Sequence, residues 1–156
     1  MELAAKTSMV RVDHTGFTVK SLQESVNFFV DVLGFKIVNQ EHFGPSEFLS
    51  NVVGVPDAEM TLAMLELDGH LVELLEYTAP NPRNIVRPRS CDIGSVHLAF
   101  YVVDLEDVVR RVELVGWHRL GALQTVASGA RIGLRIAYVR SADGITLEFL
   151  QRPTDN

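Results

Sequence analysis

Two histidines and two glutamates occupy matching places in this chain. His14-Thr15-Gly16-Phe17-Thr18-Val19 is echoed by His97-Leu98-Ala99-Phe100-Tyr101-Val102, 83 positions later. Asp68-Gly69-His70-Leu71-Val72-Glu73 is echoed by Asp143-Gly144-Ile145-Thr146-Leu147-Glu148, 75 positions later. Each copy of a repeated unit thus delivers one imidazole and one carboxylate. Two imidazoles and two carboxylates suit one borderline divalent ion such as Ni, Co, Zn, Mn or Fe. Alone, either histidine would be read as a satisfied core residue and either glutamate as half of an ion pair. Recurrence of the same pair in register favours a shared metal, because an accident has no reason to be duplicated.

The elements that must carry these residues follow from periodicity. Met9 to Val19 is rich in Val, Thr and Phe and reads as a strand bearing His14. Ser21 with Glu24 forms a capping box for a helix whose apolar face is Leu22, Val26, Phe29, Val30 and Leu33, stopped by Gly34. Phe35 to Asn39 follows as a strand, then a less regular stretch with turn chemistry at Gly44-Pro45-Ser46 and Gly54-Val55-Pro56-Asp57. Thr61–Leu67 and His70–Tyr77 form a hairpin across Asp68-Gly69. The second unit repeats the order. Ser95 to Val103 carries His97, Asp104 caps a helix through Leu105, Val108, Val109, Val112 and Val115, and Gly116 ends it. Arg135–Arg140 and Ile145–Gln151 make the last hairpin. The expectation is an α+β fold of two tandem β-α-β-β-β modules, 9–77 and 95–151, joined by a linker over 78–94 and combined into one domain. Residues 1–8 read as a loose tail.

Alternation in a strand puts His14 on one face with Val12 and Gly16, and His97 with Ser95 and Ala99. These neighbours are mostly small, which leaves room for a ligand. Glu73 and Glu148 are flanked by apolar residues, where an unpaired carboxylate would be costly to desolvate.

Composition bounds the partners. The 156 residues carry a net charge of −6 and are 47% hydrophobic, which excludes a nucleic-acid binder and allows a substantial core. The single cysteine, Cys91, rules out an internal disulfide and a multi-cysteine zinc site, and reads as an inert thiol. No stretch reaches membrane-spanning length and the N-terminus lacks signal-peptide features, so a cytoplasmic protein with no membrane partner is expected. Three arginines, Arg83, Arg87 and Arg89, lie in the proline-rich linker and read as a solvated surface rather than an anion site. His42 and His118 are expected at the surface, His70 away from the metal, Glu76 pointing opposite to Glu73, and Trp117 in the core.

Several segments carry a resemblance to a known family. Val12-Asp13-His14-Thr15, Ser25-Val26-Asn27-Phe28-Phe29 leading to Leu33-Gly34-Phe35, Leu71-Val72-Glu73-Leu74, Val96-His97-Leu98-Ala99-Phe100, and Asp143-Gly144 leading to Leu147-Glu148 resemble the vicinal oxygen chelate superfamily. That group spans glyoxalase I, methylmalonyl-CoA epimerase, extradiol dioxygenases and fosfomycin- and bleomycin-resistance proteins. The resemblance covers about 10–151. It implies curved mixed sheets forming a cleft around one metal, held by His14, Glu73, His97 and Glu148. It also implies a small-molecule substrate with vicinal oxygens and an isomerase or lyase of the glyoxalase or epimerase type. Such an enzyme moves a proton next to a carbonyl through a metal-bound enediolate, with Glu148 as base, Glu73 as second choice and Glu47 a distant third. An iron dioxygenase and a metal-free binding or resistance protein are the alternatives. Apolar surface left uncovered by each module points to a homodimer. The linker looks long enough to build the metal site within one chain.

Overall fold

The computed structural model describes residues 11–153; the expected tail over 1–8 and the first two residues of the expected strand, Met9 and Val10, lie outside them. The first module runs β1 (His14–Thr18), α1 (Leu22–Asn27), a π-helical turn (Phe28–Val32) that continues α1, β2 (Lys36–Phe43), α2 (Glu47–Val53), β3 (Glu59–Leu67) and β4 (His70–Ala79). The second runs β5 (Leu98–Tyr101), α3 (Leu105–Leu114), β6 (His118–Arg119), β7 (Gln124–Thr125), β8 (Arg135–Arg140) and β9 (Thr146–Gln151). Each module builds a curved mixed sheet, ordered β1-β4-β3-β2 and β5-β9-β8-β6, with β7 also paired to β8.

Within each sheet the first strand runs parallel to the last, and the other pairs are antiparallel. That parallel pairing is what brings the start of the module beside its end. Gly16 lies opposite Glu73, and Ala99 lies opposite Glu148.

Local chemistry fixes the helices in the same way twice. Ser21 Oγ accepts from the Glu24 amide (3.3 Å), and the Asp104 carboxylate accepts from the Asp107 amide (3.0 Å). The last strand of each module adds a second cap. Glu76 Oε2 accepts from the Leu22 amide (2.6 Å), and Gln151 Oε1 accepts from the Leu105 amide (3.0 Å). Glu76 therefore points to the helix side, opposite to Glu73, as its parity demands.

One core joins both modules. It takes Val72 and Leu74 from the first sheet, Leu147 and Phe149 from the second, Val26 and Phe29 from α1, and Val109 and Val112 from α3. Phe28 stacks on Trp117 with ring centroids 4.1 Å apart, which confirms Trp117 as a core residue.

Three features depart from the sequence expectation. The irregular stretch contains a capped helix, α2, whose Leu49 packs with Met60, Leu62, Leu75 and Tyr77 on the other face of the first sheet. The strand expected from Ser95 is only Leu98–Tyr101, so His97 immediately precedes it. The second module's strand after its helix is broken into two-residue pieces, β6 and β7.

The linker is exposed at Arg83, Arg87 and Arg89, as expected of a solvated surface, and its arginines also tie it to the modules. Arg83 donates to the Val19 carbonyl (3.5 Å), Arg87 donates twice to the Ala142 carbonyl (3.1 and 2.5 Å), and Arg89 grips Asp92. No helix among the described residues is long and apolar enough to cross a membrane.

Candidate metal centre

The four residues arrive as two pairs of matching geometry. His14 Nε2 lies 3.3 Å from Glu73 Oε2, and His97 Nε2 lies 3.2 Å from Glu148 Oε2. Val72 and Leu74 are buried in the core, so Glu73 between them must face the other side of its sheet. Leu147 and Phe149 bracket Glu148 in the same way. Both carboxylates are largely buried, with side chains 18% and 13% exposed, while the imidazoles stay accessible at 34% and 44%. A Cβ at Gly16 would lie 3.7 Å from Glu73 Oε2, so the missing side chain keeps space open beside that carboxylate.

The donor chemistry fits a divalent ion. Two ligands held side by side at bond lengths of about 2.1 Å lie about 3 Å apart, close to the separation each pair already has. In the first module the free ring nitrogen is engaged: His14 Nδ1 lies 2.8 Å from Asp13 Oδ2. A proton on Nδ1 shared with this carboxylate leaves the Nε2 lone pair free for a metal. The same hydrogen bond holds the Asp13 carboxyl below the usual carboxylate range.

In the second module the neighbour is Tyr138. Its hydroxyl lies 3.4 Å from His97 Nε2, its ring packs edge-on against the imidazole at 5.2 Å, and it sits opposite Glu148 in the β8–β9 ladder. Burial pushes the phenol pKa up, and the Glu148 charge adds to the effect. Tyr77 is raised likewise, first by burial and then by Glu73. The sequence reading missed Tyr138. Its signal was the alternation Ala137, Tyr138, Val139, which puts it on the face of Glu148.

The expectation that one chain gathers all four ligands is not met. Among the described residues, no three His, Cys, Asp or Glu side chains are brought together so as to share an ion. Each pair stays on its own sheet, and packing of the modules through a common core does not merge them.

The remaining candidates lie outside both pairs. Glu47 is exposed in the first turn of α2. His42 is exposed beside Thr61 and Glu59, and His118 is exposed on β6. His70 Nε2 is 3.1 Å from Thr15 Oγ1, on the side of β1 opposite to His14. Cys91 is an exposed free thiol.

Duplicated modules, paired His and Glu, and this sheet order define the class. The chain belongs to the Glyoxalase/Bleomycin resistance protein/Dioxygenase superfamily, whose family model matches residues 11–149. It is 32% identical to a 2-epi-5-epi-valiolone epimerase of Actinomyces sp over 92% of this chain and 80% of that one. It is 27% identical to a lactoylglutathione lyase of Neisseria meningitidis serogroup A over 92% of this chain and 91% of that one. Its fold matches a glyoxalase family protein from Bacillus cereus with a TM-score of 0.80 at 24% identity, covering 96% and 99% of the two chains. A fosfomycin resistance protein from Listeria monocytogenes, complexed with Mn(II) and sulfate, shares the fold at a TM-score of 0.61 and 12% identity, covering 92% and 93%.

Proposed function

We propose that this protein is a divalent-metal-dependent isomerase of the epimerase type, with lyase chemistry of the glyoxalase kind as the runner-up. The observation that carries this reading is the pair of matched His–Glu sites, each with its imidazole accessible and its carboxylate nearly buried. The relatives named as an epimerase and a lyase support it at the level of reaction class.

One chain supplies half a coordination set on each sheet, so the reading includes a homodimer. His14 and Glu73 of one protomer would meet His97 and Glu148 of its partner. A divalent ion held by this set supplies Lewis acidity to two neighbouring oxygens of a small-molecule substrate. The chain's own residues do the rest. Glu148 takes the proton from the carbon beside the carbonyl, because its carboxylate is the more buried of the two and stands next to the Tyr138 ring. Inversion of the centre then needs a second proton delivered to the opposite face, the role this reading gives to Glu73, while Glu148 loses its own proton to solvent. Tyr138, kept protonated by its surroundings, holds a hydrogen-bond donor beside Glu148 and His97.

The test is exchange of the carbon-bound proton. Incubation with an α-hydroxy-ketone, hemithioacetal or 2-substituted thioester in heavy water should introduce deuterium at that carbon without oxygen. Glu148→Gln should suppress the exchange even where metal is retained. Oxygen-dependent turnover with iron would instead move the protein to the dioxygenase class. No exchange and no turnover with any metal would leave a binding protein.

A further inference from the structure

The linker spans a cleft that the proposed reaction does not use. Two clasps hold it in place. At one, Arg83 donates to the Val19 carbonyl at 3.5 Å. At the other, Arg87 donates to the Ala142 carbonyl, and the Val86 backbone packs against Gly144 where a Cβ would not fit. The cleft between linker and modules measures about 810 Å³, within the size range of small-molecule sites. Phe17 and Val19 from the end of the first strand and Ile145 just ahead of β9 supply apolar wall, and Ile85, Val86 and Val96 supply more. None of the four residues of the His–Glu pairs lines it.

Ile85, Val86 and Val96 all remain well exposed, although the backbone of the first two is held between the clasps. Apolar groups fixed in this way have already met the cost of ordering, so a ligand that covers them keeps most of the gain. Two cations, Lys20 and Arg83, line the same cleft and stand beside Val19. Among the described residues neither forms an ion pair. Arg83 spends one of its five N–H donors on Val19 and keeps the others for a planar acceptor. The carboxylate in the wall, Asp143, already accepts from the Lys20 amide at 2.8 Å. The cleft thus keeps a positive balance in a chain whose net charge is −6.

We infer that this cleft binds a small amphipathic carboxylate, with its apolar body against Ile85, Val86 and Val96 and its charged end at Lys20 and Arg83. Apolar contact has no direction of its own, so the two cations decide which end of the ligand lies where. A guanidinium matches a carboxylate with paired N–H donors, and the lysine adds a point charge.

Isothermal titration of the full-length protein with octanoate, octanol, octylammonium and acetate tests this. Octanoate should bind, octanol and octylammonium should bind about tenfold or more weakly, and acetate should give no signal, since it lacks the apolar body. The double variant Lys20→Met, Arg83→Gln removes both charges and leaves an amide able to reach the Val19 carbonyl. It should lose about tenfold in affinity for octanoate and none for octanol. Ile85→Glu, at an exposed position, should weaken octanoate to a similar degree by setting a negative charge in the wall. Octanoate binding no tighter than octanol, or unchanged in the double variant, overturns the inference. If octanoate does not bind and Ile85→Glu lowers the mass seen by light scattering, a second copy of the chain covers the cleft and the inference fails.

Discussion

Splitting the ligands between two sheets makes a sharp prediction about mixed dimers. Consider two double variants, one carrying His14→Ala and Glu73→Ala, the other His97→Ala and Glu148→Ala. Each removes one complete pair and leaves the other pair, 3.2 or 3.3 Å between donor atoms, untouched. Alone, neither variant can offer more than two of the four donors at any site, and each should lose tight metal binding. When the two are co-expressed at equal levels, random pairing makes about half the dimers mixed. In a mixed dimer one site receives both ruined pairs, and the other receives both intact pairs. Metal content should therefore recover to about one quarter of the wild-type value. Equilibrium dialysis followed by elemental analysis reads this without any substrate. A site built within one chain predicts no recovery, since no chain then holds both pairs. Metal content in the mixture no higher than in the separate variants would refute the two-chain assembly.

Three further outcomes follow from the packing. Gly144→Ala should cost about 2–5 kcal/mol in a urea titration, because φ is +92° there and the new Cβ would fall 2.2 Å from the Val86 carbonyl oxygen. Trp117→Ala should cost about 3–5 kcal/mol, since it removes the buried ring stacked on Phe28, and thermal melting would register it. Glu76→Ala should cost about 1–2 kcal/mol by uncapping α1, whereas Glu76→Gln should be nearly neutral, as Gln151 caps α3 with an amide oxygen. Equal losses in the two Glu76 variants would show that charge, not the hydrogen bond, matters there.

Much of the architecture was legible in the sequence because its signals are local. The Asp68-Gly69 turn, with both residues at positive φ, sets the β3–β4 hairpin in register. The apolar faces of α1 and α3 followed from periodicity, and the repeat assigned one histidine and one glutamate to each module; the parallel strand pairing that sets them side by side did not. The helix α2 was hidden because it is seven residues long, lies between two turn-forming stretches and leaves Phe48 and Val52 exposed. Tyr138 left only its alternation with Ala137 and Val139 as a sign, because its place opposite Glu148 depends on which strand pairs with β8. The relation between the two pairs was not legible at all. It is decided by how whole modules pack, and strand periodicity carries no record of that.

The π-helical turn at Phe28–Val32 preserves something of the chain's history. Leu22, Val26 and Phe29 correspond to Leu105, Val109 and Val112 at a spacing of 83, yet Gly34 corresponds to Gly116 at a spacing of 82. One copy has gained, or the other has lost, a single residue within that window. A wider turn is how a helix takes in an extra residue without rotating what precedes or follows it. The histidine before the helix and the glycine after it thus kept their places while the length between them drifted. Excising one residue from Phe28–Val32 would restore an unbroken α-helix and equal counts from the histidine to the glycine in the two halves. Within that stretch the mismatch between the copies is confined to one loose coil, while the rest of the mismatch, the fall in spacing from 82 at the glycines to 75 at the glutamates, lies in the segment that holds α2.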